Sequence, residues 1–238
     1  MQGSELKAGA RTIMRENAPK IFIIALIFIV VITVMSELQF RLTGYADAYG
    51  KIVARLGAGE RPGPELFFGD FRPVGVALAL ILSMMGSVVN MGFMSYCLNT
   101  TRGNPGDYKD LLDGFLFFGK TMLIAILSFI FVFLWSLLLI FPGVIASYRY
   151  RQAYYILLDS PDKSALQCIR ESKLLMAGNK LDLFLLDLSF IGWHICDFLV
   201  SAIIPTPFAL PIVSIWIMPY TGLTYAAYYD QLINTLVV

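Results

Sequence analysis

From Thr121 to Phe141 the chain runs for 21 residues without a charged side chain. A hydrocarbon core about 30 Å thick is crossed by about 20 helical residues, and in lipid every backbone N–H and C=O must be satisfied within the segment, which leaves the helix as the conformation for such a run. Five further apolar segments accompany it: Lys20 to Met35, Pro73 to Leu98, Val144 to Leu158, Leu181 to Ile203 and Leu210 to Leu232. With 58% hydrophobic against 15% charged residues and a mean hydropathy of +0.71, the composition lies outside that of water-soluble globules. The expected fold is all-α: a polytopic helical membrane bundle of about six transmembrane helices, forming a single integral-membrane domain over residues 1–238.

Loop charges orient it. Pro142-Gly143 reads as a tight return turn that makes segments three and four a helical hairpin. With the amino terminus inside, the cytoplasmic connections hold Lys7, Arg11, Arg15 and Lys20, then Arg102, Lys109 and Lys120, then Lys163, Arg170, Lys173 and Lys180. The short outer turns at Pro142-Gly143 and Pro205-Thr206-Pro207 hold no cation, so both termini are expected in the cytoplasm. The outer loop, residues 37–72, is long and of mixed charge, with a Gly/Pro-rich turn from Gly57 to Pro64. The basic region before Ile21 superficially matches a secretory signal, but Ser36 to Phe40 offers no small-x-small site, and an uncleaved first span is expected.

Three amphipathic pieces flank the spans. In residues 1–19, Lys7, Arg11 and Arg15 stack on one face of a helix and Leu6, Ala10, Ile13 and Met14 on the other, the pattern of an interfacial helix whose basic stripe meets anionic headgroups. Tyr108 to Phe118 suggests a short amphipathic helix leading into the third span, with Leu111, Leu112, Phe115 and Phe118 on its apolar side. Residues 159–180 read as a cytoplasmic helix capped by Ser160 with Pro161 at its first position. Its inner face is Ala165, Ile169, Ser172 and Met176, and Gly178-Asn179 is its stop.

Polar residues within the spans are the candidate site. A charge at the bilayer centre costs about 2.5 to 3.5 kcal/mol on insertion scales, so each needs a partner, a wet cavity or a route to the interface. On the fourth segment Arg149 and Arg151 lie about 200° apart around a helix and cannot both face one neighbour. On the fifth, Asp187 and His194 align, with Asp197 one turn on, giving a polar stripe for which Arg149 or Arg151 is the counter-charge. The stripe serves either as a proton, cation or headgroup site, or as a buried ion pair that fixes helix packing. Ser83, Gly86, Ser87 and Asn90 on the second segment suit close helix packing more than a ligand groove; Pro219 suits a kink in the last, a break of the kind that lines substrate sites in transporters, though Tyr220, Tyr225, Tyr228 and Tyr229 after it read equally well as an aromatic belt.

Other chemistry finds little material. A net charge of +1 argues against nucleic-acid binding. Cys97, Cys168 and Cys196 lack CxxC spacing, so neither a disulfide framework nor a zinc site is indicated. Asp187, His194 and Asp197 have atoms suited to a metal but need ligands from other spans, and no cofactor or resident metal is expected. HExxH, GxSxG, Walker and GxGxxG motifs are absent, and with His194 as the one histidine no catalytic residue is named.

Several motifs occur together: Pro142-Gly143 with Tyr148 and Tyr150, Asp159-Ser160-Pro161, Ser172 with Met176 to Lys180, Leu188 to Trp193, and Pro219-Tyr220 with Tyr229. Leu6-Lys7, Ala10-Arg11 and Asn17 add to them at the amino terminus. In these the chain resembles an uncharacterised family of bacterial polytopic membrane proteins, domain of unknown function 975. The resemblance implies several spans and a bacterial cytoplasmic membrane, with no catalytic residue to carry over. Pro205-Thr206-Pro207 departs from the glycine-rich connection expected before the last helix. The expected function is a non-enzymatic bundle interacting with membrane lipids and with other membrane proteins or itself. The alternative is a small transporter or channel component using the Asp/His stripe.

Overall fold

The computed structural model describes residues 3–61, 63, 72–104, 106–203 and 213–236. They form helices α1 (Gly3–Glu16), α2 (Lys20–Leu42), α3 (Tyr45–Gly57), α4 (Pro73–Thr101), a 3-10 turn (Tyr108–Leu112), α5 (Asp113–Leu116) and α6 (Phe118–Leu138). The chain continues through α7 (Ile140–Tyr150), α8 (Ala153–Asp159), α9 (Ala165–Leu175), α10 (Lys180–Leu188), α11 (Ile191–Ile203) and α12 (Ser214–Leu236). No strand occurs among the described residues. Four stretches, Lys20–Leu42, Pro73–Thr101, Phe118–Leu138 and Lys180–Val200, are long and apolar enough to cross a membrane.

The core is drawn from one stripe of each long helix. On α2, Ile21, Ile24, Ala25, Phe28 and Ile29 are buried while Ile23, Leu26, Ile27, Val30, Val31 and Val34 are exposed. The inner stripe repeats with helical period, and the outer one is as apolar as the inner, which suits a lipid solvent and not water. Helix α4 packs on α2, α6 and α12, and where it meets its neighbours most closely the residue is glycine. A Cβ on Gly92 would collide with the Leu111 carbonyl, and one on Gly222 would stand 2.7 Å from Cys97 Sγ.

Several expectations are corrected in detail. The hairpin of α6 and α7 stands, but its turn is Leu139, in extended conformation (φ −164°, ψ 153°), and Pro142-Gly143 lies inside the first turns of α7. Proline is tolerated there because the first N–H groups of a helix have no intrahelical acceptor. Gly143 is the close-contact residue, since a Cβ would run into Ser136 of α6. The outer loop is partly helical: α2 continues to Leu42 and α3 follows after Gly44 in the left-handed region (φ 85°). The turn foreseen from Gly57 to Pro64 falls partly outside the described residues, and Pro205-Thr206-Pro207 wholly outside.

Ser160 does not cap the 159–180 helix. It ends α8, its N–H bonding the Ile156 carbonyl, and the cap is Ser164, whose hydroxyl accepts from Gln167 N–H while Gln167 answers to Ser164 N–H. The inner face of α9 is as expected, with Ala165, Ile169, Ser172 and Met176 all buried, and Gly178 takes the left-handed stop (φ 84°). The stretch from Tyr108 to Phe118 is a 3-10 turn and one helical turn with Leu112, Phe115 and Phe118 exposed, so its amphipathic pattern does not become a buried face.

Helix α1 buries Ala10 and Met14 against the bundle, chiefly on α12, so the apolar face expected to lie among headgroups is covered by protein. Arg11 and Arg15 stay exposed. Lys7 turns inward, donating to the Ser189 carbonyl (3.3 Å) above the Phe190 ring (4.4 Å), and burial with Arg11 nearby lowers its pKa.

Candidate functional site

Two breaks in the helices build the site. The fourth segment is not one rod: α7 ends at Tyr150 and α8 starts at Ala153, with Arg151 and Gln152 between them. A break leaves backbone groups without helical partners, and Ser172 of α9 takes up two of them. Its fully buried hydroxyl donates to the Arg149 carbonyl (2.8 Å) and accepts from Gln152 N–H (3.2 Å). The fifth segment breaks at Ser189-Phe190, where the Ser189 hydroxyl bonds back to the Leu186 carbonyl and the Phe190 N–H turns to the Asp187 carbonyl (2.9 Å). Phe190 is fully buried, edge-on to Tyr220 (5.3 Å) and Tyr225 (6.0 Å), which holds the turn in place.

The first break aims Arg151 at Asp187 of α10. Arg151 Nη1 lies 2.5 Å from Asp187 Oδ2, the Tyr148 hydroxyl donates to that same oxygen (2.8 Å), and the Tyr225 hydroxyl donates to Oδ1 (2.7 Å). The guanidinium also lies over the Tyr225 ring, 4.3 Å from its centroid. The carboxylate therefore receives three donors, and the pair carries no net charge.

This pair stands in the wall of a half-open cavity of about 760 Å³. Ser87 lies midway along α4 and Ser128 midway along α6, about 15 Å from either end of α6, so the cavity is at mid-depth of these apolar helices. Phe28, Phe93, Met94, Phe129 and Met218 make much of the wall apolar, and Ser87, Asn90, Ser128, Gln152 and Thr221 add polar groups. Two of those groups have no partner among the described residues: Ser128 Oγ and Gln152 Oε1, the latter on a side chain only 2% exposed.

At one end of this assembly Arg102 ties three elements together. It grips Asp159 with two hydrogen bonds (2.6 and 2.9 Å) and Asp230 with two more (2.7 and 3.0 Å), and Tyr229 donates to Asp159 (3.0 Å). The bonds to Asp159, joined by those to Asp230 and opposed by burial, hold the guanidinium above its ordinary pKa. Tyr155, in the cavity wall, stacks on Tyr229 at 4.9 Å, so this clasp lies directly behind the cavity.

Of the expected cluster, the structure brings Arg151 and Asp187 together and leaves the rest apart. Arg149 contributes its carbonyl, not its charge, to the break. His194 is exposed, and Asp197 accepts from Ser214 (2.6 Å). The stripe assumed an unbroken helix; the helix is interrupted by a turn at Ser189-Phe190, and beyond it neither His194 nor Asp197 joins the Arg151–Asp187 pair. Among the described residues no group of His, Cys, Asp and Glu has the makings of a metal site.

The second-segment residues are also redistributed. Ser83 accepts from Gln39 (3.1 Å), Gly86 has open space where a Cβ would stand, and Ser87 and Asn90 line the cavity. Pro219 does sit inside α12, but Tyr220, Tyr228 and Tyr229 are buried, not a belt at the interface. Tyr148, Gln152 and Ser172 were missed as working parts of the site, and Tyr225 was named among the tyrosines after Pro219 without its link to Asp187. Tyr148 three residues before Arg151 on one helix face was a usable signal.

No curated protein and no solved structure matches the chain. Residues 137–235, which carry Tyr148, Arg151, Gln152, Ser172, Asp187 and Tyr225, match the model of the family described as Protein of unknown function (DUF975).

Proposed function

We propose that this chain is a non-enzymatic integral protein of the bacterial cytoplasmic membrane that works through contacts with lipids and other membrane proteins. The intramembrane charges in this reading serve packing, not passage. One observation carries it: Asp187 is occupied by Arg151, Tyr148 and Tyr225 together, leaving a neutral, hydrogen-bonded lock between α7, α10 and α12. Adding two elements to the four long apolar stretches supports six crossings, which put both ends on one side, and the cations of the terminal and even-numbered connections support the inside. Residues 140–159, continued through the break at Arg151-Gln152, are about 30 Å long as helix, and the 23 residues of α12 exceed that. Exposed Arg11 and Arg15 then face anionic headgroups of the inner leaflet.

The cavity beside the lock supports a second reading, a small transporter or channel component. Flux measurements in proteoliposomes separate the two. A packing lock predicts no proton or cation flux, and a fall in folded yield for Asp187→Asn. A flux abolished by Asp187→Asn at unchanged yield would overturn the first reading in favour of the second.

A further inference from the structure

We infer that α3 is an interfacial helix whose exposed row of Tyr45, Tyr49, Val53 and Leu56 rests on lipid, at the boundary of headgroups and acyl chains in the leaflet at the far end of α2 from Lys20. The inference goes beyond the proposed function and rests on it only in placing the bundle in a membrane. The first argument is depth. The 23 residues of α2 are about 34 Å long as helix, slightly more than a hydrocarbon core of about 30 Å, so with Lys20 at one surface the last turn reaches the headgroups of the other. Arg41, paired there with Glu37 (2.7 Å), suits that level. Gly44, in the left-handed region, then turns the chain aside. In a continuous helix Phe40 and Tyr49 would stand about 13 Å apart along the axis, whereas their rings meet edge-on at 6.4 Å, so α3 folds back beside the end of α2. Asp47 bonds Arg72 (2.6 Å), the residue before α4, and a Cβ on Gly75 of α4 would run into the Leu42 carbonyl. These contacts hold α3 at the level where two spanning helices end.

The second argument is the distribution of faces. Tyr45, Tyr49, Val53 and Leu56 fall within an arc of about 80° around the helix, and the charged Asp47, Lys51 and Arg55 fall within a similar arc on the opposite side. Ala48 lies between the two arcs and is buried, so the bundle stands to one side of α3. A helix lying flat against a bundle at a membrane surface needs this order: charge toward water, a small residue toward the protein, and apolar side chains toward the acyl chains. The apolar row also starts against Phe40, itself exposed, and so joins the surface that α2 presents to lipid. Two tyrosines with two aliphatic residues are suited to that boundary, where a ring is solvated by hydrocarbon and its hydroxyl by headgroups.

The test uses the full chain in phosphatidylcholine nanodiscs, its own cysteines replaced and a nitroxide attached through a single new cysteine. Tyr49→Cys, Val53→Cys and Leu56→Cys sample the apolar row, Gly50→Cys and Ala54→Cys the far side, and Val34→Cys the lipid-facing surface of α2. All six positions are exposed, and Gly50 has open space where a Cβ would stand, so the labels leave the packing intact. Collision rates are measured with oxygen, which concentrates in hydrocarbon, and with a water-soluble nickel chelate. The ratio of oxygen to nickel collisions is expected to be high at positions 49, 53 and 56, as at 34, and to reverse at 50 and 54, rising and falling with the helical period. Nickel contact dominating at all five positions of α3 would overturn the inference, because the helix then lies in water. Suppression of both collisions at 49, 53 and 56 would overturn it too, because a second copy of the chain then covers the row. Position 34 keeps the two readings apart: a high ratio there leaves the membrane placement standing whatever α3 does, and a low one overturns that placement and the inference with it.

Discussion

Removing Asp187 should destabilise the bundle strongly, and removing its partner as well should restore most of the loss. In Asp187→Leu the guanidinium of Arg151 keeps its place over Tyr225 but loses its counter-charge, and the hydroxyls of Tyr148 and Tyr225 lose their acceptor. Breaking one side of a buried pair costs about 3 to 5 kcal/mol. The side chains of Arg151 and Asp187 are 35% and 26% accessible in the cavity wall, which permits relaxation and sets the expectation at the lower end, about 3 kcal/mol. The double variant Arg151→Leu with Asp187→Leu buries no charge and leaves two phenols to find other partners, so it should lie within about 1 to 2 kcal/mol of the parent. The assay is reversible unfolding of the purified chain in mixed micelles titrated with a denaturing detergent, followed by tryptophan fluorescence. A double variant no more stable than Asp187→Leu would refute the reasoning, as would a single variant within 0.5 kcal/mol of the parent, the range of an ordinary surface substitution.

Three further outcomes follow from the same contacts. Ser172→Ala leaves the Arg149 carbonyl and the Gln152 N–H unpaired at the α7–α8 break, and the cost in the same unfolding assay should be about 2 kcal/mol, with Ser172→Thr, which keeps the hydroxyl, milder. Gly143→Ala places a methyl against Ser136, including its Cα at 3.0 Å, so α6 and α7 must part; a loss of about 1 to 3 kcal/mol is expected, measured against Gly86→Ala, where the space is open and the change should be near neutral. Arg102→Gln frees Asp159 and Asp230 from their shared cation, and proteolysis in inverted vesicles should cut the α8–α9 connection faster than in the parent, with a smaller difference at high salt because the clasp is partly exposed.

The sequence made the apolar runs legible because length and the absence of charge are local properties, and each of the four long apolar stretches falls on a segment read from them. The pairing of Asp187 with an arginine was also legible, since a charge in an apolar run demands compensation wherever the partner sits in the chain. What the sequence concealed are the two helix breaks. Neither Arg151-Gln152 nor Ser189-Phe190 contains proline or glycine, and both turns are held by tertiary contacts: Ser172 for the one, and the burial of Phe190 beneath Lys7 and beside Tyr220 for the other. Extrapolating an ideal helix through them produced a stripe joining Asp187 to His194, whereas Asp187 is taken up by Arg151, Tyr148 and Tyr225 and His194 is exposed. The tyrosines of α12 were hidden for a related reason. A phenol that anchors at an interface and one that donates to a buried carboxylate have the same composition, and only the position of α10 distinguishes them.

The central claim is that these helices cross a bilayer with their two ends on one side and the α6–α7 turn on the other. It is tested by single cysteines at Ser4, Leu139 and Thr235 in a chain whose own Cys97, Cys168 and Cys196 are replaced by alanine or serine, probed in intact cells with a membrane-impermeant maleimide. Labelling of Leu139→Cys in intact cells, with Ser4→Cys and Thr235→Cys reacting only after the membrane is opened, is the predicted result. Reaction of just one of the two end positions in intact cells would contradict it.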